Sequence, residues 1–308
     1  MENKSIKTSG KGVAMLFLTA IIWGISFVSQ SVGMESVQPF TFMGIRTLMG
    51  SFVLLPFILI RDKLEKPGLS EEELKSKKKQ TVNSIKYGAF IGLFLCAATN
   101  FQQFAFYFST AGKIAFVTAM YMFFVPLLGL FLFKKKIPLI TWLCILLGFA
   151  GLYLLCFKGQ GISALNNGDL LALICAVFFT FQILLIEKFS AKCDGVKLSC
   201  AQFFVAGIIS LILMFIFEKP QIPSILEAKW ALLYSGVMSC GIAYTMQVEG
   251  QQKCEATIAS LIMCMESVFA VLSAAIILNE RLSVPEIIGC SVMFTAIVLS
   301  QLAERKKA

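Results

Sequence analysis

Histidine is missing from this 308-residue chain, and charge is scarce: Asp, Glu, Lys and Arg together make up 15% of it. A soluble domain usually carries roughly 25%. The absence of histidine removes the commonest proton-relay and metal-binding side chain. Ten cysteines occur, but none forms a CxxC pair, and most fall inside apolar runs where thiols pack as small apolar groups. A zinc site and disulfides are therefore not expected. There is no Walker A sequence, no HExxH and no GxGxxG leading from a strand into a helix. The stretch GKGVAM near the start lacks the spacing of a phosphate loop. No cofactor is implied, there is no sign of a soluble enzyme, and a membrane-embedded one would lack paired catalytic acids or a metal site.

What the chain does have is apolar length. Hydrophobic residues make up 57% of it, and the mean hydropathy is +0.81. They come in ten blocks, at 12–32, 38–60, 87–109, 114–133, 139–157, 170–189, 198–217, 229–249, 257–278 and 287–303. Each is near the ~20 residues that a helix needs to cross ~30 Å of hydrocarbon. A β-barrel would instead alternate apolar and polar residues over ~10 positions. The spacing thus predicts an all-α membrane protein of ten transmembrane helices. The first block is too long for a signal-peptide core and lacks a small-residue cleavage site, so it is read as a span. Of the 27 basic residues, 21 fall on the side of the N-terminus, five on the other, and Arg46 within a span. That bias predicts both termini in the cytoplasm and explains the net charge of +9 without nucleic acid.

The chain also divides in two. A shift of 144 lays residues 87–115 on 231–259 without a gap, pairing Gly92 with Gly236, Cys96 with Cys240 and Gln103 with Gln247. GVAMLFLTAIIW, from Gly12, matches GDLLALICAVFF, from Gly168. Five spans per half is an odd number, so the second half must enter the membrane from the opposite side. Inverted repeats of that kind enclose a site near the midplane. The expected organisation is a cytoplasmic tail at 1–11, a first five-helix repeat at 12–157, a second at 168–303, and a cytoplasmic tail at 304–308. The sole sizeable soluble stretch, 61–86 with EEELKSKKK at its centre, is expected to be a solvated, mobile loop.

Several motifs carry a resemblance: WGISFV, FMGIRTLMGSFVLLPF, NFQQFAFYFSTAGKIAFVTAMYMFFVPLLGLFLFKKKIP, GDLLALICAVFFTFQ and ASLIMCMESVFAVLSAAIILNERLS. In this order they resemble the EamA-type ten-helix branch of the drug/metabolite transporter superfamily, over roughly residues 12–303. The resemblance implies two inverted five-helix bundles around a central cavity, and export or exchange of small metabolites such as amino acids. One departure stands out. The second half leaves its fourth span through LNERLS, whereas the first half reads LFKKKIP and has no acid.

Polar residues inside the spans are the candidates for function. Arg46 is mid-span. It is either a cavity-facing cation for a carboxylate or phosphate, or a clamp on backbone carbonyls or a buried acid. Glu266, in MCMESVFA, is a proton-coupling candidate or a ligand for a substrate amine. Otherwise it is a neutral carboxyl bonded within the bundle, or Arg46's partner. Asn100, Gln103 and Tyr107 share one helical face, and their repeat mates are Tyr244, Gln247 and Gln251. Such stripes line a cavity or bond helix to helix. Trp23, Gln30, Gln182 and Tyr121 complete the set of substrate-binding candidates, with core packing as the alternative for the aromatics. Glu187 and Glu249 are expected at the cytoplasmic interface. Gly88 and Gly92 form a GxxxG suited to close helix packing.

The resulting expectation is a secondary transporter in the plasma or inner membrane, driven by gradients, with a small-molecule substrate and the bilayer as partners. A homodimer is left open. The alternatives are a polyspecific drug/proton antiporter, for which Glu266 could serve, and a nucleotide-sugar or phosphate exchanger, for which one intramembrane cation is too few. A non-transporting scaffold or receptor would have no need of matched polar stripes.

Overall fold

A computed structural model describes residues 8–65, 70–133, 137–157, 166–277 and 283–305. Among the described residues the chain is helical and contains no strand. In order, the α-helices are α1 (Gly10–Gly33), α2 (Pro39–Glu65), α3 (Glu71–Ala105), α4 (Ala111–Thr118), α5 (Tyr121–Phe133), α6 (Leu139–Phe157) and α7 (Asn167–Phe189). They continue with α8 (Gly195–Phe217), α9 (Ile222–Glu227), α10 (Lys229–Leu233), α11 (Tyr244–Gln251), α12 (Ala256–Met263), α13 (Met265–Ile277) and α14 (Val284–Arg305). A π-helix, Tyr234–Ala243, joins α10 to α11.

Seven helical segments are long and apolar enough to cross a membrane, and two shorter apolar stretches lie at Leu139–Leu154 and Ile287–Ser300. The predicted span 229–249 is helical throughout but switches from α to π and back. Two other predicted spans are broken. Between α4 and α5 the amide of Met120 bonds to the carbonyl of Val117, and that of Phe123 to Met120. Between α12 and α13 the amide of Ser267 bonds to Cys264. These i to i−3 bonds tighten a single turn and deflect the axis. In α5, Pro126 also withholds the amide that would have bonded Met122, which loosens the helix beside its break.

The stretch 61–86 is not a loop. α2 runs on to Glu65 and α3 begins at Glu71; residues 66–69 lie outside those described. Ser70 caps α3 in a reciprocal capping box with Glu73. The backbone amide and hydroxyl of Ser70 donate to Glu73 Oε2 at 2.8 and 2.9 Å, which holds that carboxyl below its ordinary range. α3 therefore has 35 residues, about 52 Å, and overhangs the hydrocarbon by several turns. Its overhang and the end of α2 are tied to the α7–α8 turn by Arg61 with Asp194, by Lys197 with Asp62 (2.6 Å), and by Lys197 with Thr81 (2.9 Å). The expected N-terminal tail lies mostly outside the described residues, as do 134–136, most of LNERLS and 306–308.

Small residues set the packing. A side chain at Gly88 or Gly92 would meet the α8 backbone, at Leu198 O and Gln202 O, at 2.7 Å in each case. α3 and α8 therefore touch main chain to main chain. At the opposite end of α2, Glu218 from α8 caps the helix, accepting from the amides of Phe40 and Thr41 and from the Thr41 hydroxyl, each at 2.7 Å.

Candidate functional site

Between the described helices lies a pocket about 20 Å³ in volume, room for about one water molecule. Its walls come from both halves of the chain. α1 supplies Trp23, Ser26, Phe27 and Gln30; α2 supplies Arg46; α3 supplies Gln102; α5 supplies Tyr121. From the second half come Phe179 and Ile183 on α7, Ser239 on the π-helix, Tyr244 and Gln247 on α11, and Glu266 on α13.

Local sequence explains how these groups are delivered. A side chain at Gly50 would strike Cys240 Cβ at 2.5 Å and Gly236 O at 3.2 Å, so its absence lets α2 press against the π-helix. Arg46 is thereby brought close to Cys240. Gly24 does the same for α1, whose backbone lies directly on Phe269 of α13, next to Trp23. Glu266 sits in the first turn of α13 and Tyr121 opens α5, so both helix breaks face the cavity.

Arg46 is 1% exposed, and its Nε and Nη1 have no hydrogen-bond partner. The Phe42 ring lies 5.9 Å from the guanidinium carbon. Glu266 is 4% exposed and accepts one bond, from the Tyr121 hydroxyl at 3.1 Å. No ion pair joins Arg46 to Glu266 among the described residues, so neither is the other's partner. The guanidinium does not clamp backbone carbonyls through Nε or Nη1. Two of the lining rings pack against neighbours: Tyr244 lies against Trp23 (centroids 4.5 Å apart, 56° between planes) and, behind the cavity wall, against Phe203 (5.4 Å, 83°). Trp23 Nε1 and Gln30 Oε1 are also buried without partners. A concave pocket lined by aromatic rings and convergent polar groups is suited to holding a small polar ligand.

Seven of the predicted residues meet here: Trp23, Gln30, Arg46, Tyr121, Tyr244, Gln247 and Glu266. Three do not. Asn100 turns to α8 and donates to Ser210 Oγ at 2.8 Å and Cys96 O at 2.8 Å, which makes it a helix-to-helix contact. Gln103 is wholly buried outside the cavity. Gln182 stands one layer behind the wall, exchanging amide bonds of 3.3 and 3.1 Å with Gln247. Tyr107 is half exposed beyond the end of α3, and Gln251 donates to Ile183 O. Glu187 accepts from the amide of Ala256 at 2.9 Å, capping α12. The residue that the stripe missed is Gln102, one position from Gln103, which bonds Thr118 at 3.2 Å on the cavity side.

Fold and pocket define the class: a multi-pass membrane protein, helical throughout its spans among the described residues, with a polar-lined pocket between its helices. The family model described as "EamA-like transporter family" matches residues 10–157 and again 166–302, and the chain belongs to that family. Relatives span nearly its full length. An "Uncharacterized transporter" of Archaeoglobus fulgidus is 26% identical over 93% of this chain and 84% of its own. The "Uncharacterized inner membrane transporter YedA" of Escherichia coli K12 is 26% identical over 94% and 90%. YoaV of Bacillus subtilis, an "Uncharacterized transporter", is 22% identical over 91% and 93%. A crystal structure that covers 96% of this chain and 98% of its own superposes with a TM-score of 0.74 at 17% identity, a likeness of fold.

Proposed function

We propose that this protein is a secondary transporter that exports or exchanges a small metabolite, an amino acid or a related compound, across the plasma or inner membrane. The observation that carries the reading is the meeting of Arg46 and Glu266. They lie 220 positions apart in sequence, in opposite halves of the chain, yet line one buried chamber without pairing. Burying a guanidinium and a carboxyl group in a low-dielectric interior without pairing them is costly unless a ligand or a proton answers them. A carboxylate matches the planar fork of Arg46, and an amine matches Glu266.

Ten spans arranged as two inverted five-helix repeats, with both termini in the cytoplasm, account for the family match falling once on each half. The two helix breaks support the same arrangement. Tyr121 and Met265, the first residues after each break, are 144 positions apart, the offset that aligns the two halves in sequence. Discontinuous helices meeting at the midplane are a recurring feature of such carriers. The pocket as it stands has room for about one water, so admitting a metabolite requires the helices to part.

The test is counterflow in proteoliposomes, preceded by a thermal-shift screen against amino acids, sugars, nucleobases and cationic drugs, since a true ligand stabilises the folded state. Accelerated uptake of labelled compound into vesicles preloaded with the same compound supports the reading. Hits confined to cationic drugs would move the assignment to drug/proton antiport, and inertness to every class would remove it.

A further inference from the structure

The two breaks touch one another. Ser267 Oγ donates to Ala115 O at 3.1 Å, and Cys264 Sγ to Ala119 O at 3.4 Å. At the same crossing the Tyr121 hydroxyl donates to Glu266 Oε1. The first two bonds run to backbone carbonyls and are indifferent to what fills the cavity. The third ends on a carboxyl that lines it, and leaves Oε2 for another donor.

We propose that Tyr121 is a positioning residue that latches α5 to α13 through Glu266: the latch is strong while the carboxylate is charged and empty, and weak once a ligand cation or a proton neutralises it. A hydroxyl bonded to a carboxylate makes a roughly twofold stronger hydrogen bond than one bonded to a neutral acceptor. Neutralisation therefore shifts the opening of the crossing in one direction. Because Tyr121 follows one break and Glu266 the other, occupancy of a single carboxyl reaches both pivots at once. The proposal rests on the transport reading for its purpose but not for its chemistry. The titratable groups around the carboxyl are Tyr121 on α5, Cys264 at the second break, Cys175 on α7 and Tyr244 on α11, and Arg46 on α2 lines the same pocket. Of these, Tyr121 alone bonds to it. Its ring is held separately, edge to face with Phe179 at 6.5 Å, so Tyr121→Phe removes the latch and leaves the packing.

Hydrogen–deuterium exchange of the purified protein, read on peptides covering the two breaks and corrected for intrinsic rates, tests this. Tyr121→Phe should raise exchange there about five- to tenfold; Glu266→Gln, whose amide oxygen still accepts a neutral bond from the hydroxyl, should raise it less; and the double variant should go no further than Tyr121→Phe alone, because both act on one interaction. Peptides of α8 should not change. Acidification from an alkaline start, where even a buried carboxyl is charged, makes the proton the neutralising probe and should loosen the breaks in the wild type but not in Tyr121→Phe. Additive effects in the double variant, an equal response of both proteins to acid, or unchanged exchange in both single variants would overturn the latch. Counterflow by the wild type separates the two claims. Normal counterflow with an additive cycle sinks the latch alone; a non-additive cycle in a protein without counterflow upholds the latch and sinks the transport reading.

Discussion

Replacing Arg46 by Met separates a binding role from a structural one, because the two predict opposite changes in stability. Methionine keeps the apolar stem and its contact with Phe42 but removes the guanidinium. In the empty protein, Nε and Nη1 are buried without partners. Each unsatisfied buried donor costs about 1 kcal/mol or more, so their removal should return about 2 kcal/mol. Against this stands the lost cation–π contact with Phe42 at 5.9 Å, about 1 kcal/mol. The net gain of about 1 kcal/mol corresponds to a Tm higher by about 2–4 °C. Ligand affinity should move the other way. Losing a charge-assisted, bidentate contact of about 3 kcal/mol weakens binding at least a hundredfold. Thermal melts of the empty variant and titration with the counterflow substrate measure the two effects on one preparation. A Tm several degrees below wild type would refute the reasoning, for it would make Arg46 a strut of the fold; so would unchanged affinity.

Other expectations follow from single contacts. Glu266→Gln should abolish any dependence of transport on acidification; if the rate against pH keeps its shape, the carboxyl does not carry the coupling proton. Gly92→Ala should destabilise the protein by about 1–3 kcal/mol, since its Cβ would press on Gln202 O at 2.7 Å. Gly10→Ala, which meets nothing within 4 Å, should be neutral or mildly stabilising, and paired melts compare the two. Glu218→Ala strips the α2 amides of their cap and should lower stability by about 1–2 kcal/mol. Binding at the distant chamber should not change, which titration checks.

The helical membrane fold was legible because burial in lipid demands long, unbroken apolar runs, and few other structures do. The extension of α3 was misjudged because its lysines were read as marks of a solvated loop. The start signal was nonetheless present in Ser70 and Glu73, three residues apart with acids in the first turn. Arg46 and Glu266 stood out because charge inside a span needs a reason. The faces of α3 did not, since Asn100, Gln102 and Gln103 are alike in chemistry and only the neighbouring helix decides which one meets the cavity. Asn100 found Ser210 on α8, and Gln102 the hydroxyl of Thr118. The helix breaks were hidden for a different reason. Pro126 hints at the first, but the stretch around Cys264 contains neither Gly nor Pro, and its tightened turn depends on the packing of α13 against α4.

A cryo-electron microscopy map of the protein with its counterflow substrate bound tests the central claim most directly. The account predicts ligand density between Arg46 and Glu266, beside Trp23 and Tyr244, in a chamber walled by both halves of the chain. Density at any other place, with Arg46 and Glu266 still sealed apart behind intact helices, would contradict it.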